Sequence, residues 1–115
     1  MIPAERDPAY LWDMLKAARE IQHFIKDVEL AEYCTNRLLQ MAIEREFTII
    51  GEAAGRVSSG TRAMSPDVPW RSIIGKRNII IHAYYEVDIE LVFIAAVNDI
   101  PILINHLEIL LKKVG

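Results

Sequence analysis

Apolar residues recur at steps of three and four along most of this chain, the period of an α-helix with one buried face. From Asp7 onward they fall at Leu11, Met14, Leu15, Ala18, Ile21, Ile25 and Val28, which predicts a helix running to about Val28. Asp7-Pro8 is a good start for it, a capping side chain followed by proline at the first helical position. A second stripe, Leu39, Ile43, Phe47, Ile50, Ala54 and Val57, predicts a helix from near Leu30–Asn36 to about Ser58. Gly51 and Gly55 lie four apart on it and share a face. Each glycine costs a helix about 1 kcal/mol relative to alanine, so the pair points to close packing of another backbone.

Residues 59–69 (SGTRAMSPDVP) are turn-rich and read as a loop. A third helix follows from about Trp70, with Gly75 expected to bend or split it. Ile79-Ile80-Ile81 is β-branched, but no other stretch offers a partner strand with an alternating pattern, so helix is favoured. Asp88 is a plausible N-cap for the last helical region, which Pro101 should kink or restart. That region ends with Lys112 and Lys113, well placed for the negative end of the helix dipole. The expectation is one all-α domain over residues 1–115, an up-and-down bundle of four to five helices.

Composition narrows the class. Apolar residues make up 52% and charged residues 25%, as in a globular domain. The longest uninterrupted apolar run, Leu91 to Val97, falls short of the roughly 18–20 residues a membrane span needs. No membrane association is expected. The N-terminus lacks a basic segment followed by an apolar one, and Cys34 has no internal disulfide partner. Both fit a cytoplasmic location.

The net charge of −3 argues against indiscriminate coating of nucleic acid. The charge is uneven, however. Residues 51–85 hold five basic and two acidic side chains, whereas the flanking segments each sum to −3. Chance scatter and a local site for an anionic ligand both account for this.

The chain has no glycine-rich phosphate loop and no metal-ligand cluster, so no cofactor or metal is expected. His23 and His106 sit among apolar helical residues and read as ordinary surface or half-buried histidines. His82 has different company in "RNIIIHAYYE" (77–86). Asn78 and His82 are four apart and share a helical face, and Arg77 aligns with Tyr84 seven residues on. Arg77 and His82 are five apart, about 140° around a regular helix, so a straight helix does not aim both at one atom.

The pair suits one chemistry. Cleaving RNA by attack of its own 2′-OH needs a base, a cation for the phosphorane charge and an acid for the leaving oxygen, but no metal. Histidine can serve as base or acid near neutral pH, and arginine matches phosphate oxygens with two donors. One protomer offers only one such histidine, so a twofold dimer would have to supply a shared groove. From spacing alone, two structural polar residues are the commoner explanation.

Four blocks change that balance: "RDPAYLWDMLKAAREIQHFI" (6–25), "FTIIGEAAGRVS" (47–58), "PDVPWRSIIGKRNIIIHAYYEVD" (66–88) and "DIPILINHLE" (99–108). In this order they resemble the HEPN superfamily, in particular the HepT-like toxins of HEPN–MNT toxin–antitoxin pairs. The family pattern R-x4-H-x-Y is met by Arg77, His82 and Tyr84. The resemblance implies a HEPN-like helical homodimer and a metal-independent endoribonuclease acting on RNA. Arg77 and His82 would be the catalytic pair, with Asn78 as the polar residue beside them. It also implies a minimal nucleotidyltransferase (MNT) antitoxin that can transfer AMP to Tyr84 and block the site. The chain departs from the family at Tyr33 and Asn36, where Phe and Asp are usual. A second reading keeps the bundle but makes it a non-enzymatic binding subunit that docks the nucleotidyltransferase.

Overall fold

A computed structural model describes residues 3–83 and 87–114. A 3-10 turn, Pro3–Arg6, leads into α1 (Asp7–Phe24), followed by α2 (Leu30–Thr35), α3 (Arg37–Arg56), α4 (Ser59–Ala63) and α5 (Trp70–His82). Then come α6 (Ile89–Ile94), a π-helical turn (Ala95–Asp99) and α7 (Ile100–Val114). The described residues contain no strand, so the chain is all-α, as its periodicity predicts.

Helix α1 is the central element. It packs on α3 on one side and on α7 on another, while α5 packs on α3. Leu11, Met14, Ala18 and Ile21 of α1 have no exposed surface, and they share one core with Ile43, Ile50 and Ala54 of α3 and Leu107 and Leu110 of α7. Each such leucine or isoleucine contributes about 1.5–3 kcal/mol on burial. That seam outweighs the two glycines that weaken α3.

Several boundaries depart from the periodic pattern, each for a local reason. Helix α1 stops at Phe24, before Val28, and the chain turns through Asp27, which takes φ 60°. The second helix begins at Arg37, at the end of its expected starting range, because the Asn36 carboxamide oxygen accepts from the Leu39 N–H at 3.0 Å, and residues 30–35 form the separate short helix α2. The expected loop at 59–69 contains α4, capped by Ser58. Gly75 does not split α5, which runs unbroken from Trp70 to His82. Asp88 caps α6, its Oδ1 accepting from the Leu91 N–H at 3.1 Å, and Lys112 and Lys113 sit in the last turn of α7, both as expected. The π turn ends two residues before Pro101, whose ring cannot sit against the carbonyl four residues back in a regular α-helix.

Taken through the π turn, Ile89–Val114 forms one predominantly apolar helical stretch of 26 residues. By length and composition it could cross a membrane, because helix continuity carries it past Asn98 and Asp99. Here it buries Ala95, Ala96, Ile100, Leu103, Leu107 and Leu110 in the core beside α1.

Asp7 does not cap α1; it is itself helical and 1% exposed. Its carboxylate accepts from the Ser58 N–H at 3.1 Å and from the hydroxyls of Ser58 and Thr61, tying the start of α1 to the α3–α4 joint. Burial pushes its pKa up. The hydrogen bonds from Ser58 and Thr61 and the charge of Arg62 outweigh that and leave it lowered.

Glu46 is the opposite case. It is buried on α3, and its Oε2 has no hydrogen-bond partner. Burial raises its pKa to about 7; a hydrogen bond to Glu20 and repulsion from it add to this, while Arg45 and Lys16 oppose it. A carboxyl raised in the folded state stabilises below its ordinary value of 4.5 and loses that contribution as pH climbs through about 7. Glu46→Gln removes the ionisation. Its urea midpoint should exceed that of the wild type at pH 8 by about 1–3 kcal/mol equivalent, with the gap closing towards pH 5.

Candidate active site

Helix α5 carries the sequence-predicted residues, and it is the most lightly buried of the long helices. Trp70 is its one buried residue; its indole N–H donates to the Ser65 carbonyl at 3.1 Å and fixes the first turn. Ile73, Ile74 and Ile80 pack partly against the core. The helix ends at His82, where Ala83 leaves helical geometry at φ −138°.

Arg77 is seated on α3 through Gly51. A Cβ added at Gly51 would overlap Cβ of Arg77, and would lie 2.9 Å from its Cγ and 3.2 Å from the Ile73 carbonyl oxygen. Only glycine allows this approach, which is what the glycine pair in the sequence foretold. Gly55 is different, since an added Cβ there meets nothing within 4 Å. Held this way, Arg77 is about one-third exposed. Its Nη1 donates to Asn78 Oδ1 at 2.9 Å, and its Nη2 lies 3.7 Å from Glu52 Oε1. Its Nε is buried without a hydrogen-bond partner. Asn78 therefore stands beside Arg77 and orients it, by a direct bond.

His82 is exposed and lines neither the concavity at Arg77 nor the cleft between α5 and α6. Five residues on a continuous helix separate it from Arg77 by about 7.5 Å along the axis and about 140° around it. Gly75 does not interrupt the helix that carries them. Tyr84 lies outside the described residues.

Glu52 and Arg56 escaped the sequence reading, although "GEAAGR" contains both. The signal was their spacing from Gly51, one and five residues on, which sets them around the same glycine shelf. The excess positive charge of residues 51–85 also resolves into separate jobs. Arg62 donates to the carbonyls of Ala54 and Val57 at 2.9 and 3.1 Å and lies over the Trp70 ring, so it closes the end of α3. Lys76 lies 3.7 Å from Asp99, across a cleft of about 390 Å³. That cleft is apolar, with Phe47, Ile79 and Ile80 on one side and Leu91, Val92 and Ile94 on the other.

The two departures from the family pattern lie away from Arg77 along the chain. Tyr33 is fully buried, its ring 5.1 Å from Phe93, and burial pushes its phenol up to about 12. Asn36 caps the first turn of α3, fifteen residues or roughly 22 Å of helix from Gly51, so within one protomer it does not orient Arg77.

An all-α domain with an arginine and a histidine on the last turns of a half-buried helix, backed by a glycine shelf, defines a HEPN-like domain. A family model described as "Ribonuclease HepT-like" matches residues 14–110. The chain belongs to the HepT-like ribonuclease family. It is 35% identical over 101 residues to a Methanocaldococcus jannaschii protein named as an RNase, covering 88% of this chain and 93% of that one. A Thermococcus cleftensis protein named as a ribonuclease HepT is 31% identical over 103 residues, covering 90% and 94%. A further Methanocaldococcus jannaschii protein named as an RNase is 29% identical over 113 residues, covering 98% and 93%. No solved structure matches the chain significantly.

The two glycines give a paired prediction. Gly51→Ala forces α5 away from α3 and should cost about 1–3 kcal/mol in urea denaturation. Gly55→Ala meets open space and should instead stabilise by up to about 1 kcal/mol.

Proposed function

We propose that this chain is a metal-independent endoribonuclease that acts in the cytoplasm as the toxin of a toxin–antitoxin pair, working as a homodimer with a composite site. Arg77 binds the scissile phosphate and stabilises the charge that develops on it. One His82 takes the proton from the attacking 2′-OH as its oxygen bonds to phosphorus. The P–O5′ bond breaks, and the partner's His82 protonates the leaving oxygen.

The observation that carries this reading is the seating of Arg77. It is locked in direction by Gly51 and Asn78, yet retains an unpartnered Nε and only a loose contact to Glu52. That is a cation prepared for an anion it does not yet hold. His82 stands about 140° away, which favours assembly of the site from two copies. The apolar cleft between α5 and α6 supports the same view. Ile79, Leu91 and Ile94 line it and remain 45%, 62% and 45% exposed, as they would be on a face that a second copy covers.

In this reading the MNT nucleotidyltransferase antitoxin transfers AMP to Tyr84. The added phosphodiester would bring negative charge that repels RNA phosphate.

The assay is RNA cleavage by purified protein in excess chelator. The wild type should cut, and Arg77→Ala and His82→Ala should each lose about 10²–10³-fold in rate. Undiminished cleavage by His82→Ala, or none by the wild type until a divalent ion is restored, contradicts the reading.

A further inference from the structure

A concavity of about 290 Å³ lies beside Arg77, lined by Gly51, Glu52, Gly55, Arg56, Ile74 and Arg77. Gly51 is covered by the stem of Arg77, but nothing lies within 4 Å of where a Gly55 side chain would be, which leaves room there for a sugar–phosphate chain to approach α3. Two guanidiniums face one carboxylate there, a net charge of +1 on an acidic protein.

The way these charges pair is informative. Glu52 and Arg56 stand at i and i+4 on α3, the spacing at which a helical ion pair normally forms. Glu52 instead leans to Arg77, at 3.7 Å. Arg56 is exposed and has no acidic partner among the described residues. Arg56 is also the last residue of α3, where the helix dipole would repel an anion. Arg62 counters that, because its guanidinium bonds the Ala54 and Val57 carbonyls at this end.

We propose that this concavity is a phosphate subsite for single-stranded RNA, in which Arg56 holds the phosphate next to the scissile one. Glu52 is then an internal counter-ion, occupying Arg77 until RNA phosphate displaces it. The subsite extends the role given to Arg77 above and rests on that reading. Two planar guanidiniums on one wall suit adjacent phosphates of a flexible strand, each taking a two-pronged contact. Such contacts are electrostatic and sequence-tolerant, and each adds to the salt dependence of binding.

The test uses a short fluorescent 2′-O-methyl oligoribonucleotide, which lacks the attacking hydroxyl, so binding is measured apart from cleavage. Arg56→Gln should weaken binding about tenfold at low salt and reduce the slope of log affinity against log salt by about 0.7. Arg56→Lys should retain the slope. Glu52→Gln should tighten binding several-fold, since a competing carboxylate is gone. Circular dichroism melts check that these variants, all at partly or fully exposed positions, keep the fold. Wild-type affinity and slope in Arg56→Gln overturn the subsite, and weaker binding by Glu52→Gln overturns the counter-ion role.

Cleavage of unmodified RNA by the same proteins separates this proposal from the one it rests on. Wild type that binds through Arg56 yet cuts nothing supports the subsite and contradicts the nuclease. Wild type that cuts, with Arg56→Gln unchanged in binding and KM, contradicts the subsite alone.

Discussion

The contact between Gly51 and Arg77 is the constraint on which the site depends. Helix α5 has little apolar surface to bury, and its principal support is α3. Where the two meet, the absent side chain of Gly51 lets the stem of Arg77 rest on the backbone of α3. An arginine free in solvent samples many rotamers and loses that freedom on binding. Here part of that cost is met during folding, and the guanidinium emerges with its direction set. The same contact brings Glu52 and Arg56 beside Arg77, because all three surround one glycine shelf.

The rest of the molecule can be understood as support for that shelf. The α1 seam fixes α3, and the buried carboxylate of Asp7 fixes the α3–α4 joint from which the chain turns back towards α5. Arg62 closes the end of α3 and reaches the Trp70 ring at the start of α5, so the two helices are joined at their connection as well as at Gly51. Helix geometry then separates Arg77 from His82 by more than half a right angle beyond perpendicular. A single protomer with an unbroken α5 does not correct this, which is why the proposed function turns on a second copy.

Much of this architecture was legible in the sequence, because a stripe at steps of three and four leaves little choice but an amphipathic helix. The core of α1 and α3 follows that stripe residue by residue, from Leu11 to Ile21 and from Ile43 to Val57. The glycine pair correctly announced a close approach at Gly51, though Gly55 shows that spacing alone does not say which glycine is pressed. Breaks were harder to see. Asn36 separates α2 from α3 by offering a cap, and a polar side chain that competes with helical hydrogen bonding is invisible to periodicity. Gly75 erred the other way: a glycine permits a break in a helix, but α5 runs through it unbroken. Buried polar groups were illegible because burial is tertiary. Asp7 looked like a cap and became a cross-helix anchor, and Glu46, a carboxyl without a cation bonded to it among the described residues, lies inside. The role of Arg77 came from a family pattern, whereas Glu52 and Arg56 needed coordinates.

The proposed function requires that the two copies of the chain supply one site together, each giving its His82. It is tested most directly with a purified heterodimer, each subunit carrying a different affinity tag, one wild type and the other bearing His82→Ala. If each cleavage event needs the His82 of both subunits, one as base and one as acid, no intact site remains. Such a heterodimer should then be about as inactive as the His82→Ala homodimer. A heterodimer that keeps about half the ribonuclease activity of the wild-type dimer would contradict the claim.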